Sequence, residues 1–213
     1  MKKIIITIDG PAGSGKGRIA KFISRKWNLT HLDSGIIYRR IALKIINSNV
    51  DYKNQNEIRK LINSISSISI KNHKSLRTEI VSKITSKIAV FKVVRDHVNR
   101  IQKEIVYENY RKKGFVIDGR DIGSVVFRDA NLKLYIIVNA KIRAERRYKQ
   151  LIDIGEQSIY QKIFKEINLR DKKDKSRKNS PLIIPKGAYL ISNEDSFRDT
   201  VKQINKLFEN INE

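Results

Sequence analysis

The chain has 213 residues, and its 45 Lys and Arg against 22 Asp and Glu give a formal net charge of +23. It contains no cysteine, which excludes disulfide bonds, thiolate metal sites and a cysteine nucleophile, so we expect a cytoplasmic location. The basic residues are spread along the chain and no stretch interleaves them with aromatic residues. This favours a solvated surface that attracts anionic nucleotides, while some affinity for polyanions stays open.

The first predicted element is a buried strand over residues 3–8. Asp9 and Gly10 end its apolar run, which is too short for a signal peptide or a membrane span. Similar runs rich in β-branched residues are typical of parallel strands buried on both faces. They cover residues 29–32, 115–118, 134–138 and 189–191.

A glycine-rich loop follows the first strand and precedes an amphipathic helix. The backbone N–H groups of such a loop surround phosphate oxygens, and Lys16 reaches the β- and γ-phosphates. The apolar face of the helix carries Ile19, Phe22, Ile23 and Trp27. The pattern predicts an ATP-binding loop formed by Gly10, Pro11, Ala12, Gly13, Ser14, Gly15, Lys16, Gly17 and Arg18.

The position after Lys16 departs from the common pattern, because Gly17 replaces the hydroxyl residue that often binds Mg²⁺. We expect Mg²⁺ to accompany ATP and to be held mainly by ATP oxygens and water. Asp118 ends a later strand, where a second carboxylate would lie, and could equally orient water or Lys16. No residue of the chain is assigned as a metal ligand.

Two segments interrupt the alternation of strands and helices. Residues from about 51 to 85 are polar and rich in Ser and Asn, which indicates a small inserted subdomain. Residues from about 153 to 181 are highly charged, with a helical period at Ile159, Ile163 and Ile167, which is typical of a mobile flap.

A last helix is predicted near the C-terminus, with Ser196 and Asp199 as a capping pair. One face of this helix carries Phe197, Val201, Ile204, Phe208 and Ile211. The alternation of strands and helices along the chain predicts an α/β fold in which helices cover a parallel sheet.

Four separated segments resemble the pattern of the bacterial cytidylate kinases, which are nucleoside monophosphate kinases. They are residues 10–17, 32–39, 118–123 and a charged group within 170–182. The resemblance spans nearly the whole chain and implies a P-loop NTPase-like three-layer fold with a central parallel sheet. One departure is Arg18, where the family usually has Thr or Ser.

The resemblance also implies a single kinase domain over 1–213. Its core would comprise 1–50, 86–152 and 182–213, its NMP-binding subdomain about 51–85, and its mobile lid about 153–181. The implied reaction moves the γ-phosphate of ATP to CMP or dCMP, giving CDP or dCDP plus ADP in pyrimidine nucleotide metabolism. The implied partners are these small molecules, with no specific nucleic acid and no membrane, and the implied state is a monomer.

Residue roles follow from the matched positions. The implied readers of cytosine are Ser34, Arg95 and Asp121. The implied ribose contacts are Ser86, Arg170 and Asp174. The residues implied to bind phosphate are Arg39, Arg120 and Arg177. The implied catalytic residues are Lys16, Arg120 and Arg177. The chemistry of cytosine agrees with these roles, because a carboxylate such as Asp121 accepts a hydrogen bond from the exocyclic amine of cytosine.

Several alternatives stay open at this point. Arg120 next to Asp121 could form an ordinary surface ion pair with it, and Tyr38 is interpreted as a packing residue. Three arginines could clamp the transferred phosphoryl group or could be solvated; they are Arg143, Arg146 and Arg147. UMP or AMP kinase activity is the nearest rival function, and an ATP-binding protein associated with RNA or DNA is the second hypothesis.

Overall fold

Five parallel strands form a single sheet in the computed structural model, which describes residues 3–65, 68–109, 111–153 and 155–212. The strands are β1 (Ile4–Asp9), β2 (Thr30–Asp33), β3 (Gly114–Asp118), β4 (Leu132–Ile137) and β5 (Tyr189–Ser192). Their order across the sheet is β2-β3-β1-β4-β5, and every pair is parallel. All five predicted strands are therefore present, and the predicted α/β class is confirmed.

Eight α-helices connect and cover these strands in the described residues. They are α1 (Lys16–Lys26), α2 (Ser34–Asn47), α3 (Gln55–Asn63), α4 (Glu79–Ile88), α5 (Lys92–Glu108), α6 (Ala140–Asp153), α7 (Tyr160–Ser176) and α8 (Phe197–Asn212). A 3₁₀ turn covers Lys74–Arg77 and a π-helical turn covers Ile122–Val126. None of the helices in the described ranges combines the length and apolarity needed to cross a bilayer.

Some sequence predictions fall partly outside these ranges. Met1, Lys2, Tyr110 and Glu213 belong to the predicted core, Ser66 and Ser67 to the predicted insertion, and Ile154 to the predicted lid. The side chain of Ile211, predicted on the apolar face of α8, is also outside the description.

The main core joins β1, β3 and β4 to α1 and α8, and we call it the sheet cluster. Its buried members are Ile6, Ile8, Ile19, Ala20, Ile23, Leu29, Val116, Leu132, Leu134, Ile136, Val138, Ile191 and Ile204. Phe22 and Trp27 pack against this cluster while partly exposed, so the predicted apolar face of α1 is confirmed. Apolar burial on this scale supplies most of the driving force for folding.

A second core, the insertion cluster, joins α2, α3, α4 and α5. Its buried members are Ile37, Tyr38, Ile41, Ala42, Ile45, Ile58, Ile62, Val81, Ile88, Val94 and Val98. Residues of the predicted insertion therefore share one core with two helices that lie outside the predicted boundaries of 51 and 85. Those boundaries stay a proposal.

The predicted cap of α8 is present. Ser196 Oγ donates to Asp199 Oδ2 at 2.6 Å, and the Asp199 backbone N–H donates to Ser196 Oγ at 3.2 Å. This reciprocal pair satisfies a backbone donor at the helix start, as capping boxes do. It fixes the position of Phe197, the first residue of the helix.

Candidate active site

The phosphate loop lies between the end of β1 and the start of α1, enclosed by neighbouring backbone. Gly10 has φ of 148°, and a Cβ there would lie 2.7 Å from the carbonyl oxygen of Ile136. Gly15 caps α1 with φ of 84°, and a Cβ there would meet Asn193 Nδ2 at 2.3 Å. Both positions therefore require glycine, because the backbone is left-handed and because a side chain would collide with a neighbouring atom.

Lys16 is buried, with 5% of its surface exposed. Its Nζ donates to the carbonyl oxygen of Pro11 at 2.7 Å and contacts Ser14 Oγ at 3.3 Å. Burial lowers the pKa of Lys16 well below its ordinary value, and the positive charge of Arg120 lowers it further. A phosphate anion beside this amine would relieve both effects, because it favours the charged form.

Asp118 lies at the end of β3, beside the start of α1. A Cβ built on Gly17 would be 3.9 Å from Asp118 Oδ2, so the carboxylate faces the position where other phosphate loops carry a hydroxyl. Its other oxygen lies 2.6 Å from His31 Nε2. No group of three or more His, Asp or Glu suited to hold a metal ion occurs in the described part of the chain.

Asp9 links the end of β1 to the π-helical turn, a role that the sequence analysis missed. The side chain is fully buried and accepts backbone N–H bonds from Ile122 at 2.8 Å and Gly123 at 2.7 Å. Burial raises its pKa to about 6, although the two backbone bonds oppose this shift. Asp9 therefore fixes the segment that directly follows Asp121.

Replacing Asp9 with Asn is expected to change how stability depends on pH. The folded-state pKa of about 6 exceeds the ordinary value of 3.8, so the folded protein binds more protons than the unfolded chain between these values. The contribution of this group to the free energy of unfolding is therefore greatest at low pH, and it falls by about 3 kcal/mol as pH rises. Urea unfolding at about pH 4 and about pH 7 measures it. A wild-type minus Asp9→Asn difference that is the same at both pH values would contradict this assignment.

Arg95 of α5 and Asp121 form a buried ion pair at the carboxyl end of the sheet. Arg95 Nη2 lies 2.5 Å from Asp121 Oδ2, and the two side chains are only 3% and 5% exposed. Burial lowers the pKa of Arg95, but Tyr38 and Asp121 more than offset this and raise it overall. Ser34 opens α2 in the same region, where its Oγ would lie 2.7 Å from a Cβ on Gly119. Arg95 and Asp121 are thus in direct contact, and Ser34 lies beside Gly119, two residues before Asp121.

Several buried polar atoms around this pair have no hydrogen-bond partner within the described residues. They are the Tyr38 hydroxyl, Arg39 Nε, Arg95 Nε and Arg177 Nη2. Tyr38 was interpreted as packing, and its ring does pack in the insertion cluster, 5.7 Å from the guanidinium of Arg95. Burial raises the pKa of its hydroxyl, which therefore remains a donor at neutral pH. Unpaired buried donors are costly, so these atoms are suited to a polar ligand.

Residues of the predicted lid contact Arg120 directly. Asp174 of α7 accepts from Arg120 Nε at 3.2 Å and from Arg177 Nη1 at 3.5 Å. Arg120 therefore pairs with Asp174, while Asp121 pairs with Arg95, and the interpretation of Arg120 and Asp121 as an ordinary surface pair is wrong. Arg177 also donates to the carbonyl oxygen of Ser180 at 2.5 Å and ends α7.

The cationic groups near Arg120 and Asp174 repel one another. Burial and the nearby Arg120 lower the pKa of Arg170 to about 10. Burial likewise lowers the pKa of Arg39 and Arg177, with neighbouring arginines adding to the effect. Such a concentration of positive charge is suited to bind several phosphate groups at once.

The three arginines of α6 have different environments. Arg143 is buried and donates to Ala12 O at 3.0 Å, to Val138 O at 3.1 Å, and to both carboxylate oxygens of Asp171 on α7. Arg146 donates to the carbonyl oxygens of Asn193 and Glu194. Arg147 is exposed, which agrees with the solvated alternative.

Two predicted site residues lie apart from this network. Ser86 is half-buried on α4, and in the described residues no hydrogen bond joins it to Arg170 or Asp174. Arg18 is exposed, and its guanidinium carbon lies 3.8 Å from the centre of the Phe197 ring.

Comparison with known proteins adds an independent line of evidence. The family model described as cytidylate kinase matches residues 6–210. A cytidylate kinase of Rickettsia akari (strain Hartford) is 36% identical, covering 98% of this chain and 93% of the relative. A cytidylate kinase of Fusobacterium nucleatum subsp. nucleatum is 36% identical, with 85% and 86% covered. The solved structure of TT1252 from Thermus thermophilus has a TM-score of 0.53 at 16% identity, covering 99% and 98% of the two chains, and is similar in fold alone.

Proposed function

Because this chain belongs to the cytidylate kinase family, we propose that its cleft transfers a phosphoryl group directly between two bound nucleotides. The protein is a (d)CMP kinase, which moves the γ-phosphate of ATP to CMP or dCMP and gives CDP or dCDP plus ADP. The observation that carries the proposed site is the convergence of cations whose pKa values are lowered; they are Lys16, Arg39, Arg170 and Arg177.

The donor side of the proposed site is the phosphate loop. Its backbone N–H groups and the N-terminal end of α1 would hold the ATP phosphates, and Lys16 would reach the transferred group. Arg143 supports this loop by its bond to the carbonyl oxygen of Ala12. Because the Asp171 carboxylate neutralises Arg143, we assign Arg143 to positioning the loop and the lid.

Mg²⁺ would accompany ATP and supply positive charge to its phosphates. The residues present fit this metal, because the Asp118 carboxylate faces the start of α1 beside the phosphate loop. With Gly17 in place of a hydroxyl, Asp118 and its partner His31 are the groups that would orient the bound water.

The acceptor side would be built from α2, α5 and the lid. Asp121 would accept from the exocyclic amine of cytosine, and Arg95 with Ser34 would complete the base contacts. Arg39, Arg120 and Arg177 would hold the acceptor phosphate. Asp174 would contact the ribose together with Arg170 and Ser86 once the lid has closed.

Phosphoryl transfer requires positioning and charge stabilisation, with no covalent enzyme intermediate. Water must also be excluded, since ATP would otherwise be hydrolysed. The predicted lid contacts the connection between α4 and α5, where Asn179 Nδ2 donates to Val90 O at 3.4 Å. We propose that lid and insertion close over both nucleotides in a cytoplasmic, monomeric enzyme.

A coupled ADP-release assay with ATP and Mg²⁺ tests this function directly. CMP, dCMP, UMP, AMP and GMP are offered separately at equal concentration. We expect rapid turnover confined to CMP and dCMP, because a carboxylate facing the base suits an amine donor and disfavours the uracil carbonyl. Faster turnover with UMP or AMP would reassign the acceptor, and the absence of acceptor-dependent turnover would contradict the proposal.

A further inference from the structure

A groove of about 490 Å³ lies on the outer face of α1, beside the start of α8. Its lining consists of four cationic and two aromatic side chains, and we call it the basic-aromatic strip. The members are Arg18, Lys21, Phe22, Arg25, Lys26 and Phe197. Within α1 these residues recur every three or four positions, so they follow one face of the helix.

The four cations of the strip are exposed and lack acidic partners. In the described parts of the chain, no carboxylate lies within ion-pair distance of Arg18, Lys21, Arg25 or Lys26. Other exposed cations do have such partners, for example Arg100 with Glu104 at 3.1 Å. The strip therefore carries four charges without acidic partners along about 12 Å of one helix face, from Arg18 to Lys26.

Aromatic rings alternate with these charges. The guanidinium of Arg18 lies 3.8 Å from the centre of the Phe197 ring, and the Phe22 ring meets Phe197 edge to face at 6.1 Å. Further along, Lys26 Nζ lies 4.9 Å from the centre of the Trp27 ring, which stacks on Phe208. Because Arg18 is exposed and rests on Phe197, its guanidinium is a flat cationic surface on which a base can stack.

We propose that the basic-aromatic strip binds single-stranded nucleic acid without regard to sequence. Cations spaced along a groove neutralise successive backbone phosphates, and rings or guanidinium planes between them stack on unpaired bases. Lys21, Arg25 and Lys26 lie one or more helical turns beyond Lys16, so the strip extends away from the phosphate loop. It also contains no acidic side chain that would repel a phosphate backbone.

The test uses fluorescence anisotropy of a labelled oligouridine of about 12 nucleotides with the full chain. The variant Lys21→Gln/Arg25→Gln removes two exposed charges of the strip. The matched control Arg59→Gln/Lys60→Gln removes one Arg and one Lys from the exposed face of α3, so net charge changes equally. Titrations run between about 50 and 200 mM salt.

We expect the plot of log K against log salt to be less steep for the strip variant, with the magnitude of its slope smaller by about 1.4, since each lost phosphate contact removes about 0.7. The control should retain the wild-type slope, and phosphorylation of CMP should be unchanged in both variants. Because the activity is measured separately, loss of oligouridine binding is distinguishable from failure of the proposed kinase function.

Three outcomes would overturn the proposal. Equal losses in the strip and control variants would mean that binding follows net charge alone. Equal affinity for a duplex of the same length would remove the role of the aromatic rings, because paired bases are not available for stacking. Complete displacement of the oligonucleotide by ATP with Mg²⁺, together with a raised KM for ATP in the strip variant, would assign the strip to the ATP site.

Discussion

Replacing Lys16 with Met is expected to lower kcat about 10³-fold while leaving the protein at least as resistant to urea as the wild type. Removing one preorganised donor to the charge that develops in a transition state typically has an effect of this size. Lys16 is the cation that emerges directly from the phosphate loop, and its Nζ already contacts the loop at Pro11 O.

The stability expectation follows from the burial of Lys16. Holding a charged amine away from water disfavours the folded state, which is why burial lowers its pKa. Methionine has a similar length and carries no charge, so the substitution removes the desolvation cost along with the catalytic group. Steady-state kinetics and urea unfolding measure the two effects on one preparation.

Lys21→Met is the matched control for this experiment, because it removes an exposed lysine from the same helix. Its kcat should equal that of the wild type. If Lys16→Met kept kcat within a few-fold of the wild type, the assignment of Lys16 to the transferred phosphate would be wrong.

Replacing Asp121 with Ala is expected to lower the preference for CMP over UMP about 10- to 100-fold. In the proposed site the carboxylate accepts a hydrogen bond from the exocyclic amine of cytosine, and hydrogen bonds to charged groups contribute about 1.5–3 kcal/mol. Uracil presents a carbonyl at that position and gains nothing from the carboxylate. The ratio of kcat/KM values for the two acceptors measures this preference.

The Arg95–Asp121 pair makes this variant less stable as well. Its two side chains are nearly inaccessible to water, and removing one partner leaves the other charge buried and uncompensated, which costs about 3–5 kcal/mol. The ratio of the kcat/KM values for CMP and UMP does not depend on how much of the protein is folded. The effect on base preference can therefore be measured separately from the effect on stability. Asp96→Ala, which removes an exposed carboxylate paired with Lys92 on α5, should leave the ratio unchanged. Equal losses for CMP and UMP would refute the base-reading role of Asp121.

The sheet and the phosphate loop are the parts of the molecule most completely predicted from sequence. Their signals are local: a run of β-branched residues buried on both faces, or glycines spaced around a lysine, identifies each element without knowledge of its neighbours. The cap of α8 belongs to the same category, since Ser196 and Asp199 are three residues apart.

The partners within the site depend on distances across the fold. Arg120 adjoins Asp121 in sequence, yet it pairs with Asp174, 54 residues away. Asp9 binds the backbone of Ile122 and Gly123 more than 110 residues later, and its only sequence signal is its place at the end of a strand. Such pairings arise from packing of whole elements, so residue types and spacing do not determine them.

The basic-aromatic strip illustrates the same limit. No stretch of the sequence interleaves cations with several aromatic residues, and the strip arises because the start of α8 packs beside α1. Phe197 and Arg18 are 179 residues apart and in contact. The composition therefore left open whether the protein binds polyanions. Only the fold shows which part of the surface would bind them.

The described residues form four buried hydrophobic clusters, and the distinction between the sheet cluster and the insertion cluster has a consequence for cooperativity. The phosphate loop adjoins the sheet cluster, whereas Tyr38 and Arg95 lie on the helices of the insertion cluster. A ligand stabilises the part of a protein that it binds, and parts with separate cores can open independently. We therefore expect ATP to stabilise mainly the first unit and CMP mainly the second. Ile105 of α5 packs against both the insertion cluster and a third cluster at β3, which links the units without ligand, so both nucleotides together should raise the melting temperature more than either alone.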